Sequence, residues 1–176
     1  SMAGIYIHIP FCKNKCNYCN FFSVASTSQL NQLIDAIKTE AVLRKNYCDN
    51  EEVQTIYFGG GTPSLLYYNH LHEIFEVIKA NYHINNNTEI TLEINRDDVS
   101  ETKAEEWKLL GFNRVSLGTQ SFDNNVLQRL GRKHNSDAAY NALKTLKKSG
   151  FENISADVIF GVPQMNNQQL LHTLNI

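Results

Sequence analysis

Cysteine is scarce in this chain of 176 residues, long apolar runs are missing, and charge of one sign never gathers. Four cysteines with no signal-peptide pattern ahead of them are too few for a disulfide framework. They suit a reducing cytosol, so a cytoplasmic location is expected. No stretch is long and apolar enough for a membrane span, and no membrane insertion is expected. The 16 Lys and Arg set against 18 Asp and Glu leave a formal net charge of −2. The basic residues are scattered, which gives no electrostatic footprint for nucleic acid. What is present is 42% hydrophobic and 10% aromatic, enough for one sizeable core and one domain. Ser1 ahead of Met2 reads as a scar of tag removal, and 167–174 reads as a helix just under way. The chain is therefore expected to be a fragment, with 2–176 as its native part.

Short β-branched runs alternate with longer stretches of helical apolar spacing. The pattern predicts strands over 4–9, 55–58, 89–94, 114–117 and 153–159, and helices over 28–47, 64–81, 101–110, 123–130 and 137–149. Leu30, Leu33, Ile34, Ile37 and Ala41 form the apolar stripe of the first helix, and Gly150 is placed to stop the last one. Repeated strand-then-helix units imply an α/β fold with a parallel sheet and right-handed crossovers. Strands of such sheets normally read as unbroken apolar runs, but these alternate. Ile5, Ile7 and Ile9 oppose Tyr6 and His8, and Ile90, Leu92 and Ile94 oppose Thr91, Glu93 and Asn95. Val115 and Leu117 oppose Ser116, Gly118 and Gln120, while Ile154, Ala156 and Val158 oppose Ser155 and Asp157. One face suits a layer of helices. The other collects polar groups that need partners if enclosed, and a polar ligand would supply them. The competing readings are an open sheet whose polar face meets water, and ion pairs of Glu93 or Asp157 with Arg114 or Arg132.

Three of the four cysteines, Cys12, Cys16 and Cys19, follow the first predicted strand in the run Ile9-Pro10-Phe11-Cys12-Lys13-Asn14-Lys15-Cys16-Asn17-Tyr18-Cys19. Structural zinc normally takes four ligands, and the remaining cysteine, Cys48, lies far downstream without a close partner. His8 is the other available fourth ligand, within a strand. An iron–sulfur cluster left with one open iron is the favoured reading, with zinc as the weaker one. Cys48 reads as an incidental thiol. The second strand leads into Gly59-Gly60-Gly61-Thr62-Pro63-Ser64, where Thr62 is placed to cap a helix and Pro63 to occupy its first turn. Its glycines let a ligand approach the backbone. Ser64 stands where a dinucleotide fingerprint needs its third glycine, and no lysine follows to make a P-loop.

A cysteine triplet after the first strand and a glycine run after the second resemble the radical S-adenosylmethionine (SAM) enzymes. More narrowly, the chain resembles the oxygen-independent coproporphyrinogen III oxidase-like family, including its haem-chaperone branch. The likeness covers 4–164, through Tyr6-Ile7-His8-Ile9-Pro10-Phe11-Cys12, Tyr57-Phe58-Gly59-Gly60-Gly61-Thr62-Pro63-Ser64, Leu92-Glu93-Ile94-Asn95, Arg114-Val115-Ser116-Leu117-Gly118-Thr119-Gln120-Ser121-Phe122, Leu130-Gly131-Arg132 and Asp157-Val158-Ile159-Phe160-Gly161-Val162-Pro163.

The resemblance implies a partial (β/α) barrel, here about five β/α units, lacking a sixth strand and a C-terminal domain. It implies Cys12, Cys16 and Cys19 as ligands of a [4Fe-4S] cluster, with Tyr18 beside SAM and Tyr6 near its cluster-facing end. Gly60, Gly61 and Thr62 would meet the SAM amino group; Glu93, Gln120, Arg132 and Asp157 would contact its aminoacyl and ribose parts. In that family SAM chelates the open iron, and an electron from a donor cleaves its C–S bond to methionine and a 5'-deoxyadenosyl radical. The oxidase branch uses this radical to convert porphyrinogen propionates to vinyls. Asn20-Phe21 stands where the oxidase branch carries a further cysteine, which favours the haem chaperone, with porphyrinogen or haem as partner. Two departures bear on the branch: Asn20 replaces the acid expected in the haem-chaperone branch, and Arg96 stands where a proline is common. Without the remaining segments the fragment is expected to lack turnover.

Overall fold

The computed structural model describes residues 3–12, 28–131 and 136–175. Five parallel strands form one sheet in chain order: β1 (Ala3–Ile9), β2 (Glu52–Gly60), β3 (His83–Asn95), β4 (Arg114–Gln120) and β5 (Asn153–Val158). The connections carry helices α1 (Leu30–Leu43), α2 (Tyr68–Asn81), α3 (Glu101–Leu110), α4 (Asn124–Arg129) and α5 (Ser136–Lys148), and α6 (Asn167–Leu174) follows β5. This is the α/β architecture that the alternating pattern and the resemblance predict. Among the described residues β1 and β5 are the sheet edges, and no helix is long and apolar enough to cross a membrane.

The two-faced strand pattern becomes a one-sided core. Ile7, Ile9, Ile56, Phe58, Leu92, Ile94, Val115 and Leu117 are buried on one face, under Leu30 and Ile34 of α1, Leu71, Ile74, Phe75 and Ile78 of α2, and Trp107 of α3. Phe58, Phe75 and Phe112 lock sheet to helix, with centroids 5.3 Å apart for Phe58–Phe75, 5.2 Å for Phe58–Phe112 and 5.1 Å for Phe75–Phe112. The last two are edge-on pairs, the arrangement the ring quadrupoles favour. Caps set the helix ends: Ser100 accepts from the Lys103 amide at the start of α3, and Gly111 ends it at φ +106.

Several predicted boundaries shift: β2 and β4 run longer than the expected 55–58 and 114–117, and three other elements change more. The helix expected over 64–81 breaks into a 3₁₀ turn, Pro63–Leu65, and α2, because Leu66 is extended (φ −65, ψ 140). Thr62 precedes the turn but makes no side-chain cap bond. The helix expected over 28–47 stops at Leu43, and the chain beyond runs in turns to Asp49 and Asn50, both at positive φ. β3 begins at His83, six residues early, because His83 and Ile84 pair with Glu52 and Val53 before a register shift carries the polar stretch 85–87 out of the ladder and pairing resumes at Glu89 opposite Thr55. There the Asn85 amide meets the Glu52 carboxylate and Thr88 donates to the Val53 carbonyl at 2.8 Å.

Phe75 is 1% exposed at the centre of the aromatic lock. Phe75→Ala is expected to lower unfolding free energy by about 3–5 kcal/mol, measured by urea titration; a loss below ~1 kcal/mol would show that this cluster does not organise the core.

Candidate functional site

The site begins where β1 ends. The Gly61 amide donates to the Ile9 carbonyl at 2.7 Å, carrying the β1–β2 association one residue beyond the paired strands. This brings Cys12 beside the glycine turn, where the Thr62 hydroxyl donates to the Cys12 sulfur at 3.5 Å. The glycines are required at two points. A Cβ on Gly61 would lie 2.6 Å from the Phe11 carbonyl oxygen, and one on Gly60, whose φ is +114, would lie 2.8 Å from the His8 ring. The space these glycines leave is filled by the cysteine segment's own backbone and by His8, a use the ligand-approach reading of the run did not include. Thr62, expected as a helix cap, faces a thiol instead.

Glu93 ties β3 to this turn. One of its oxygens accepts the Tyr57 hydroxyl at 2.7 Å, the other the Gly60 amide at 3.1 Å. A carboxylate held at both oxygens has a defined orientation, and charge-assisted bonds of this kind are the stronger class. Burial, then the hydrogen bond to Glu93 and its charge, hold the Tyr57 phenol well above its ordinary range, so it stays a donor. Tyr6 stacks on Tyr57 with centroids 5.9 Å apart, and its hydroxyl pairs with His8 Nδ1 at 3.2 Å. Burial and the Glu93 charge raise the Tyr6 phenol as well.

On the far side of the same face the Ser116 hydroxyl donates to the Asp157 carboxylate at 3.2 Å, and the Thr119 hydroxyl donates to the Asp157 carbonyl at 2.7 Å. Arg114 donates to Thr91 and Ser155 hydroxyls, at 3.3 and 3.1 Å. The ion-pair alternative with Arg114 therefore loses its geometry: both carboxylates take hydroxyl or amide donors from neighbouring strands. Gln120, at φ +61, has its side-chain oxygen enclosed without a hydrogen-bond partner among the described residues. Gly118 makes room for it, since a Cβ there would lie 2.9 Å from the Gln120 amide nitrogen.

The structure thus brings Cys12, Tyr6, Gly60, Gly61, Thr62, Glu93, Gln120 and Asp157 to one polar face, toward the C-terminal ends of the strands where ligands of open parallel sheets bind. Cys16, Cys19, Tyr18 and Arg132 lie outside the described residues. Cys48, half-buried past the end of α1, is a free thiol like Cys12. Tyr57 is the residue that sequence reasoning missed. Its signal was available, because Tyr57 alternates with Ile56 and Phe58 just as Tyr6 alternates with Ile5 and Ile7. The set of groups fits the implied cofactors: a thiol at the mouth of the glycine turn suits a soft metal cluster, and a fixed carboxylate with an enclosed amide oxygen suits a ligand bearing N–H donors.

The radical SAM superfamily model matches residues 6–176. The chain is 33% identical to the protein named heme chaperone HemW of Bacillus subtilis over 176 residues, covering 99% of this chain and 46% of that protein. It is 37% identical to heme chaperone HemW of Lactococcus lactis over 158 residues, covering 90% and 41%. Among solved structures it superposes on coproporphyrinogen III oxidase (HemN) of Escherichia coli with a TM-score of 0.89 at 26% identity, covering 99% of this chain and 41% of that one. It spans less than half the length of these relatives. With the family match running from β1 to the last helix, the chain belongs to the radical SAM superfamily, a membership that implies binding of a [4Fe-4S] cluster and SAM.

Proposed function

We propose that Cys12, Cys16 and Cys19 hold the [4Fe-4S] cluster, that the polar sheet face holds SAM, and that the complete protein is a cytoplasmic haem chaperone. Its true-oxidase alternative, decarboxylating porphyrinogen propionates, draws support from the likeness to the E. coli oxidase structure. Support for the chaperone comes from the HemW relatives and from Asn20-Phe21 standing in place of a further cysteine. On this reading the chain is the N-terminal part of a radical SAM core, and a sixth strand, a C-terminal domain and an electron donor complete the working assembly. The observation that carries the site assignment is the junction of Cys12 with the Gly60-Gly61-Thr62 turn, one bond from Glu93.

When bound, cluster and SAM together supply one-electron chemistry that generates a carbon radical. The protein's own residues supply orientation. Glu93, fixed by Tyr57 and Gly60, presents an anion suited to an ammonium group. The Gln120 side-chain oxygen, without a hydrogen-bond partner among the described residues, accepts a donor from the ligand. Asp157 keeps carboxylate lone pairs for hydroxyl groups beside its Ser116 bond. Thr62 donates toward the Cys12 sulfur and so fixes the thiol against the glycine turn. Tyr18 and Arg132 complete the proposed SAM contacts.

Anaerobic reconstitution is expected to load about four irons per chain with a Mössbauer signature of a [4Fe-4S] cluster; fewer than about three irons with intact thiols would remove the cluster assignment. Supplied with SAM, reductant and coproporphyrinogen III, the complete protein is expected to form no vinyl product, while titration with haem gives stoichiometric uptake and transfer. Vinyl formation without haem uptake would move the protein to the oxidase branch.

Tyr57→Phe removes one of the two donors to Glu93 and is expected to weaken SAM binding roughly 3- to 30-fold; unchanged affinity would show that Glu93 needs no orienting hydroxyl. The same variant tests the raised phenol. A folded-state pKa above the unfolded value near 10 means that the Tyr57 contribution to stability is intact at neutral pH. It is lost as pH climbs above 10 through the folded value, so the stability gap between wild type and Tyr57→Phe should close in strongly alkaline denaturation curves.

A further inference from the structure

Arg96 is a buried cation beside the polar face, and the structure shows where its side chain goes. It opens the 3₁₀ turn Arg96–Asp98 after β3, and its side chain is 0% exposed. A guanidinium enclosed to that degree is costly unless strong acceptors meet it. Its Nη1 donates to the Thr119 carbonyl at 2.7 Å, and its Nε lies 3.8 Å from the Asp97 carboxylate. The Thr119 carbonyl is also the acceptor of the Ser121 amide at 2.8 Å, a bond that spans Gln120 alone. A three-residue turn with its central residue at φ +61 has the rare, strained hand of the γ-turn, and a non-glycine residue holds it only where surrounding contacts over-determine it. Here the contacts are visible. The Thr119 hydroxyl is tied to Asp157, the Gln120 carbonyl accepts the Ile159 amide at 2.8 Å, and Arg96 anchors the acceptor of the turn from the 3₁₀ turn that follows β3.

We propose that Arg96 is a positioning residue: by holding the Thr119 carbonyl it keeps Gln120 in its left-handed turn, with its side-chain amide directed into the polar face. This chain thereby couples the end of β3, which carries Glu93, to the end of β4, which carries Gln120, through one buried cation. In its ligand consequence the inference rests on the SAM reading of the polar face; the strap itself does not.

The test compares wild type, Arg96→Met, Arg96→Lys, Gln120→Ala and the Arg96→Met/Gln120→Ala double variant. SAM affinity of the cluster-reconstituted protein is measured alongside hydrogen exchange at the Ser121 and Ile159 amides. Arg96→Met should raise exchange at both amides ~10-fold or more while leaving Leu92 and Leu117 protected, and should weaken SAM binding ~10-fold. Arg96→Lys, which keeps a cationic donor, should recover most of both effects. In the Gln120→Ala background the Arg96→Met loss of affinity should shrink below ~2-fold, because the two residues act through one another. Equal losses in both backgrounds, unchanged exchange at Ser121 and Ile159, or raised exchange with unaltered SAM affinity would each overturn the proposal. If wild type itself binds no SAM, the ligand reading fails and the exchange data alone decide the strap. Should Arg96→Met not fold, exchange in Arg96→Lys decides: slow Ser121 and Ile159 amides support the strap, and fast ones refute it.

Discussion

The bond from the Gly61 amide to the Ile9 carbonyl is the constraint on which the rest of the site depends. It extends the β1–β2 ladder past the strand ends, so the backbone carrying Cys12 must run directly against the glycine turn. Only glycine tolerates that approach, since any side chain at 61 would collide with the Phe11 carbonyl and one at 60 with His8. Once the turn is fixed, the Gly60 amide points at Glu93 and the Thr62 hydroxyl at the Cys12 sulfur. A thiol and a carboxylate that are 81 residues apart in the chain are thereby held around one short turn.

The one-sided core makes this arrangement affordable in folding terms. Branched and aromatic side chains on the helix-covered face, from Ile7 to Leu117, carry the burial energy, and the opposite face is released from packing duty. That face then tolerates Tyr6, Tyr57, Glu93, Ser116, Gln120 and Asp157 as a row of polar groups. They satisfy one another across strands, Tyr57 with Glu93 and Ser116 with Asp157, while the Gln120 oxygen has no hydrogen-bond partner among the described residues. Strain accepted at Gln120 is consistent with a position kept for function rather than for stability.

Much of this was legible in the residues. Period-two alternation within parallel strands placed Tyr6, Glu93, Gln120 and Asp157 on one surface before any coordinates, because register in a half-buried sheet admits no one-residue slip. The span 101–110 expected from apolar spacing coincides with α3, which the structure shows bounded by Ser100 and Gly111. What escaped was tertiary. Nothing local announces that Ser64 would bind Asp98 at 2.7 Å and accept Lys103 through its carbonyl, which ends the first turn after Pro63. Nor does the sequence show that His83 and Ile84 would pair with Glu52 and Val53 ahead of a run of asparagines that the ladder skips. Arg96 was visible only as an oddity; its burial against Thr119 depends on a contact across 23 residues of chain.

The central claim is that the cysteine segment and the glycine turn form one site in which cluster and SAM meet. Electron paramagnetic resonance of the reduced, reconstituted cluster tests it most directly, recorded with and without SAM in wild type and in Gly61→Ala. The account predicts that SAM shifts the wild-type signal and that the shift disappears in Gly61→Ala, whose added methyl pushes the Cys12 backbone from the turn. A wild-type cluster signal indifferent to saturating SAM would contradict it.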